Sequence, residues 1–293
     1  MPIIGNKKII ESLERALEKK NLAQSYLFCG PEGLGKFLVA RQLAEKLTGG
    51  AGDVVNQNLL VIEPEVEEKD GVIKEKEIKL EAIKELQKKF SLTAAFQNYR
   101  VAIIRSAQKL NLSAQNALLK ILEEPPAHTI IILVVEDERK LLPTIISRCQ
   151  IKRFKLLSDE ELGELFSSDL SNKDELIFWS LGRPGFAKDF LRDIKKLEER
   201  RGIVQELRDI FSASGNDKLF LAEALSKNTP ALLEKMDFWI ILLRSAVLGQ
   251  KNFLSIDPEK ALKLIDKIEE SEKIIKNTNS NVRLVVENLI LVF

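Results

Sequence analysis

Apolar runs and amphipathic stretches take turns along the first half of this 293-residue chain, and that alternation restricts the fold more than any other feature. "SYLFC" (25–29), "NLLVIEP" (58–64), "RVAII" (100–104) and "TIIILVV" (129–135) read as strands, and "CQIKRF" (149–154) reads as a last one. Between them, "GKFLVARQLAEKL", "KLEAIKELQKKF" and "NLSAQNALLKILEEPP" carry helical periodicity, the last with Ala114, Leu118, Ile121 and Leu122 on one face and Pro125-Pro126 as its stop. Strands alternating with helices over this length imply a mostly parallel sheet covered on both faces. A further helix is expected at 7–20, with Ile9, Ile10, Leu13 and Leu17 on one stripe. "EVEEKDGVI" (65–73) reads as a solvated, charged turn.

After about residue 155 the strand signals stop. Ser158, with Glu161 three residues on, has capping-box spacing. A turn is expected at 182–185, and residues 191–293 read as helices broken near 214–215, 228–230, 249 and 277–281. Asp257 followed by Pro258 marks one helix start. Trp179 and Trp239 sit in apolar helical surroundings and are expected in the core.

The first strand runs into "GPEGLGKF" (30–37), and a helix follows. Gly30, Gly35 and Lys36 obey the phosphate-loop pattern G-x-x-x-x-G-K-[ST], with Gly33 between them. Backbone N–H groups, a helix N-terminus and a lysine there could hold an anion. Phe37 breaks the pattern, because it has no hydroxyl for a magnesium ion. Two readings stay open, a weak anion site and a glycine-rich turn that only packs. The third strand should end in acids if the loop turned over a nucleotide. It ends in Arg105-Ser106 instead, and a cation beside a divalent ion costs several kcal/mol at ~4 Å and intermediate dielectric.

The net charge of +1 gives no global basic excess for bulk nucleic-acid binding. Cys29, Cys149 and His128 are too few for a cysteine-rich zinc site, so no metal is expected. Neither a secretory h-region nor an apolar stretch of membrane-span length is present, and a cytoplasmic protein with reduced thiols is expected.

"IIGNKKIIESLERAL", "SYLFCGPEGLGK", "QNALLKILEEPP" and "LLPTIISRCQIKRF" resemble the clamp-loader branch of the AAA+ proteins, strongly over the first half of the chain and more weakly through "LGRPGFA" and the C-terminus. The resemblance implies an AAA+ P-loop-type α/β domain over 1–153, a helical lid over 154–197 and an all-α collar over 198–293. The active ATPase relatives, the gamma/tau subunits, carry Thr after the loop lysine, Asp-Glu after the third strand, a Thr pair in the fourth-strand sensor and an Arg in the lid. This chain has Phe37, Arg105-Ser106, Val135-Glu136 and Gly185, with Arg183 two residues earlier. It also lacks the four-Cys zinc module of many relatives.

What is kept is Ser147-Arg148-Cys149, whose arginine projects in this branch into the ATP site of a neighbouring subunit. The resemblance therefore implies a non-hydrolysing subunit of the DNA polymerase III holoenzyme. Its partners would be gamma/tau and delta subunits in a ring, a sliding clamp and, through the assembly, primed DNA. It would need no cofactor of its own. The alternative is a divergent ATPase that binds and hydrolyses ATP itself. For Arg148 the residues alone offer another reading, a local ion pair with Asp137 or Glu138. Glu123-Glu124 reads as a solvated helix end.

Overall fold

The computed structural model describes residues 4–49, 58–69, 72–91, 99–166, 170–249, 253–278 and 280–293. The chain divides into two compact units, residues 1–188 and 189–293.

In the first unit the elements run α1 (Lys7–Glu18), β1 (Ser25–Cys29), α2 (Lys36–Thr48), β2 (Leu59–Ile62), β3 (Val66–Lys69), β4 (Val72–Glu75), α3 (Leu80–Ser91), β5 (Arg100–Ile104), α4 (Leu112–Glu123), β6 (Thr129–Val135), α5 (Pro143–Ile146), β7 (Gln150–Arg153), α6 (Asp159–Gly163) and α7 (Lys173–Ser180). Five strands form one sheet in the order β2-β5-β6-β1-β7. Every pairing in it is parallel. All residues of β1 and β6 are buried, as uninterrupted apolar runs in a covered parallel sheet must be. Leu27, Ala102, Ile104, Ile131 and Leu133 pack with Ile83 and Leu86 of α3 and with Leu118 and Ile121 of α4.

Local chemistry sets the helix ends. The Asn111 side chain accepts from Ala114 N at 2.9 Å and opens α4. Ser158 and Glu161 form the expected capping box on α6. On α1 only Leu13 of the apolar stripe is fully buried. Trp179 is in the core of this unit.

One reading is corrected. Glu65 to Ile73 is not a simple charged turn, because β3 and β4 pair antiparallel as a hairpin with Val66 opposite Glu75 and Glu68 opposite Ile73. Residues 70–71 lie outside the described residues. The backbone ladder satisfies the polar main chain even though the hairpin has few apolar side chains to bury.

Helix α8 (Pro184–Arg192) follows, then α9 (Ile194–Ser212), α10 (Gly215–Ser226), α11 (Thr229–Val247), α12 (Pro258–Asn277) and α13 (Val282–Val292). The starts fall where the breaks were read. Asn228 accepts from Ala231 N at 3.2 Å, and Asp257 accepts from Glu259 N at 3.0 Å and Lys260 N at 3.1 Å. In the second unit α11 packs on α12 and α10 on α13. Trp239 is fully buried there, with the Phe293 ring edge-on at 5.8 Å. Among the described residues no helix is long and apolar enough to cross a membrane.

Candidate functional site

The glycine-rich loop leaves β1 after Cys29 and enters α2 at Lys36. Its lysine is turned inward. Lys36 Nζ donates to Gly30 O and to Pro31 O, both at 2.6 Å, and the side chain is buried. Burial pushes the pKa of this ammonium down, and the Glu136 carboxylate acts in the opposite direction. Two of its three N–H donors are thus directed to carbonyls of its own loop, and Lys36 also lines the cavity beside it.

The loop is also tied to the start of α8. Gly185 N donates to Gly33 O at 2.8 Å. At Gly33, where φ is +81°, an added Cβ would lie 3.1 Å from Arg183 Cβ and 3.3 Å from the Phe186 ring. Gly35 also has a positive φ, +78°, but open space where a Cβ would stand. The two glycines therefore do different work. One permits both the turn and a close approach, and the other permits only the turn.

A concavity of about 280 Å³ opens beside the loop, walled by Glu32, Lys36, Phe37, Glu75, Arg105 and Glu136. The Arg105 guanidinium lies over the Phe37 ring, 5.5 Å from its centroid, and its Nη1 is 3.2 Å from Glu63 Oε2. Ser106 Oγ donates to Glu75 Oε1 at 3.2 Å, so the β3–β4 hairpin supplies part of the wall. Phe37 and Arg105, two separate departures in the sequence, are thus in contact. Together they put a benzene ring and a cation beside the loop, in a cavity that the carboxylates of Glu32, Glu75 and Glu136 also wall. Glu63 and Glu75 were not singled out from the sequence, and Ser106 was noted only as the neighbour of Arg105.

Arg148 is elsewhere. It follows α5 and leads into β7, which runs parallel to β1 with Gln150 beside Tyr26 and Arg153 beside Cys29. The loop leaves the opposite end of the sheet, on the order of 15 Å away at ~3.3 Å of rise per strand residue. Arg148 is exposed and held on one side. Its Nη1 donates to Thr144 O at 2.9 Å, and its Nη2 is 2.8 Å from Glu123 Oε1. Asp137 and Glu138 pair instead with Arg139 and Arg153, both at 2.8 Å. Ser147 Oγ donates to the same Thr144 carbonyl at 3.1 Å. Arg148 and the loop are therefore not brought together within one chain. Glu123 is no free helix end.

A family model described as DNA polymerase III, delta subunit, matches residues 5–158, just over half of the chain. The chain belongs to this family. Among curated relatives, DNA polymerase III subunit delta' of Bacillus subtilis (strain 168) is 35% identical over 175 residues, covering 56% of this chain and 52% of that protein. DNA polymerase III subunit tau of the same organism is 31% identical over 174 residues, covering 55% of this chain and 30% of that protein. The chain thus matches about half the length, or less, of these relatives. Its resemblance to the delta prime type, as well as to the wider clamp-loader branch, agrees with the family match. A Thermotoga maritima RuvB structure aligns with TM-score 0.50 at 17% identity, over 98% of this chain and 87% of that one. At that identity the likeness concerns the fold, an AAA+-type parallel sheet followed by helices. The matched stretch, residues 5–158, includes both the loop and Arg148, the two features whose geometry is set out above.

Proposed function

We propose that this chain is a delta prime-type subunit of a DNA polymerase III clamp loader. It does not hydrolyse ATP, and it donates Arg148 to the ATP site of an adjacent subunit. The observation that carries this reading is the position of Arg148, exposed at the end of the sheet away from its own loop. An arginine there can meet a nucleotide only across an interface. Its guanidinium would donate to γ-phosphate oxygens and stabilise the charge that develops during transfer to water. The neighbour's hydrolysis would then depend on correct docking of the two subunits.

The chain's own loop supports a structural role. Lys36 is bonded to its own loop carbonyls, and Phe37 and Arg105 pack on each other at the positions where the ATPase relatives carry a hydroxyl and an acid. We assign residues 1–153 to the α/β domain, 154–197 to a lid and 198–293 to a collar. The partners would be gamma/tau and delta subunits in a hetero-oligomeric ring, with a sliding clamp and primed DNA as the objects of the work, in the cytoplasm.

The test is a reconstituted complex carrying Arg148→Ala. Assembly should persist, and the DNA-stimulated ATPase should fall by about 100- to 1000-fold per affected site, the range for loss of a positioned donor to developing charge. An unchanged ATPase rate would refute the trans role. Saturable turnover by the isolated chain, lost in Lys36→Ala, would instead establish it as an ATPase in its own right.

A further inference from the structure

We infer that Glu123 is a positioning residue for Arg148, holding the guanidinium with its remaining donors facing outward. This rests on the trans role proposed above. Glu123 ends α4, where a carboxylate meets the negative end of the helix dipole and is disfavoured unless a cation answers it. Arg148 answers it at 2.8 Å. The same guanidinium donates its other terminal nitrogen to Thr144 O, a carbonyl of the short α5. Two of its five N–H donors are thus directed to fixed acceptors, one on α4 and one on α5. Among the described residues the other three meet no acceptor, and they remain for a ligand outside the chain.

Both acceptors are well anchored. Leu122 and Ile121, just before Glu123, are buried in the core, as is Ile145 beside Thr144. The carboxylate therefore stands on a rigid support, and a side chain with four rotatable torsions is confined toward one orientation. A guanidinium ordered before the neighbouring subunit arrives loses less conformational entropy on reaching the phosphate. The interaction is half exposed, with side-chain exposures of 36% for Arg148 and 50% for Glu123, so its effect is graded and not all-or-none.

The test uses the reconstituted complex with primed DNA and sliding clamp, carrying Glu123→Gln, Glu123→Ala, Arg148→Ala and the Glu123→Ala/Arg148→Ala pair. Glu123→Ala should lower kcat by about 2- to 5-fold with KM for ATP nearly unchanged, and Glu123→Gln should fall between it and the parent. The Glu123→Ala change should add nothing once Arg148 is alanine. In the isolated chain, ¹⁵N relaxation at Arg148 Nε should report greater mobility in Glu123→Ala. If Arg148→Ala lowers kcat while Glu123→Ala leaves both kcat and Arg148 mobility unchanged, the positioning role is wrong and the trans role stands. If Arg148→Ala has no effect, the trans role itself fails. A kcat loss from Glu123→Ala that persists in the Arg148→Ala background would also overturn the inference, because Glu123 would then act by another route.

Discussion

Replacing Gly33 with alanine separates two reasons for keeping a glycine-rich loop, anion chemistry and packing. At φ +81° an L-residue is strained by about 1–2 kcal/mol. The new Cβ would also lie 3.1 Å from Arg183 Cβ and 3.3 Å from the Phe186 ring, which adds an overpacking cost of about 1–3 kcal/mol. Gly35→Ala supplies the control, because its φ of +78° carries the same strain but nothing lies within 4 Å of the added carbon. Gly33→Ala should therefore destabilise by about 2–5 kcal/mol and Gly35→Ala by about 1–2 kcal/mol. The chain has two units, so a global transition would mix them. In a Trp239→Phe background Trp179 is the one tryptophan left, so selective tryptophan excitation reads it, and it lies in the core of the first unit. Urea unfolding followed at that residue reads the relevant midpoint. Equal midpoint shifts for the two variants would refute the close-packing argument. A neutral Gly33→Ala would refute the backbone argument as well.

Trp239→Ala should cost the second unit about 3–5 kcal/mol, because the side chain is fully buried and is stacked edge-on with Phe293. Native-state amide exchange in α10 to α13, which reads that unit by itself, checks it. Asp137 is held at a pKa of about 2, first by its side-chain hydrogen bond from Arg139. A depressed carboxylate contributes stability above its unfolded pKa and loses it as pH falls through the folded one. The contribution of Asp137 should therefore fade between about pH 4 and pH 2. A carboxyl-carbon titration should show the low midpoint in the parent and a return toward 3.8 in Arg139→Ala.

The parallel sheet was legible because its strands are continuous apolar runs separated by amphipathic helices, and burial on both faces requires that pattern. The caps at Ser158 and Asp257 were legible because a short polar side chain before an apolar-periodic run has few other uses. The β3–β4 hairpin was missed because "EVEEK" is too charged to look like a strand. Its signal was the Asp70-Gly71 dipeptide in the sequence, a common hairpin turn. The partner of Arg148 was sought among acids close in sequence. Glu123 is 25 residues away, and only the return of the chain through β6 brings it near. The inward turn of Lys36 was illegible for a different reason. The loop pattern fixes where the lysine stands, but which loop carbonyls its ammonium reaches is a matter of backbone geometry.

The stack of Arg105 on Phe37, with Glu63 paired to the same guanidinium, bears on how these positions can vary. Phe37→Thr alone would leave Arg105 without its ring. Arg105→Asp alone would leave Glu63 without its cation and set a carboxylate toward an aromatic face. Each change removes a contact that depends on the other residue, so the effects of the two substitutions are coupled and should not add.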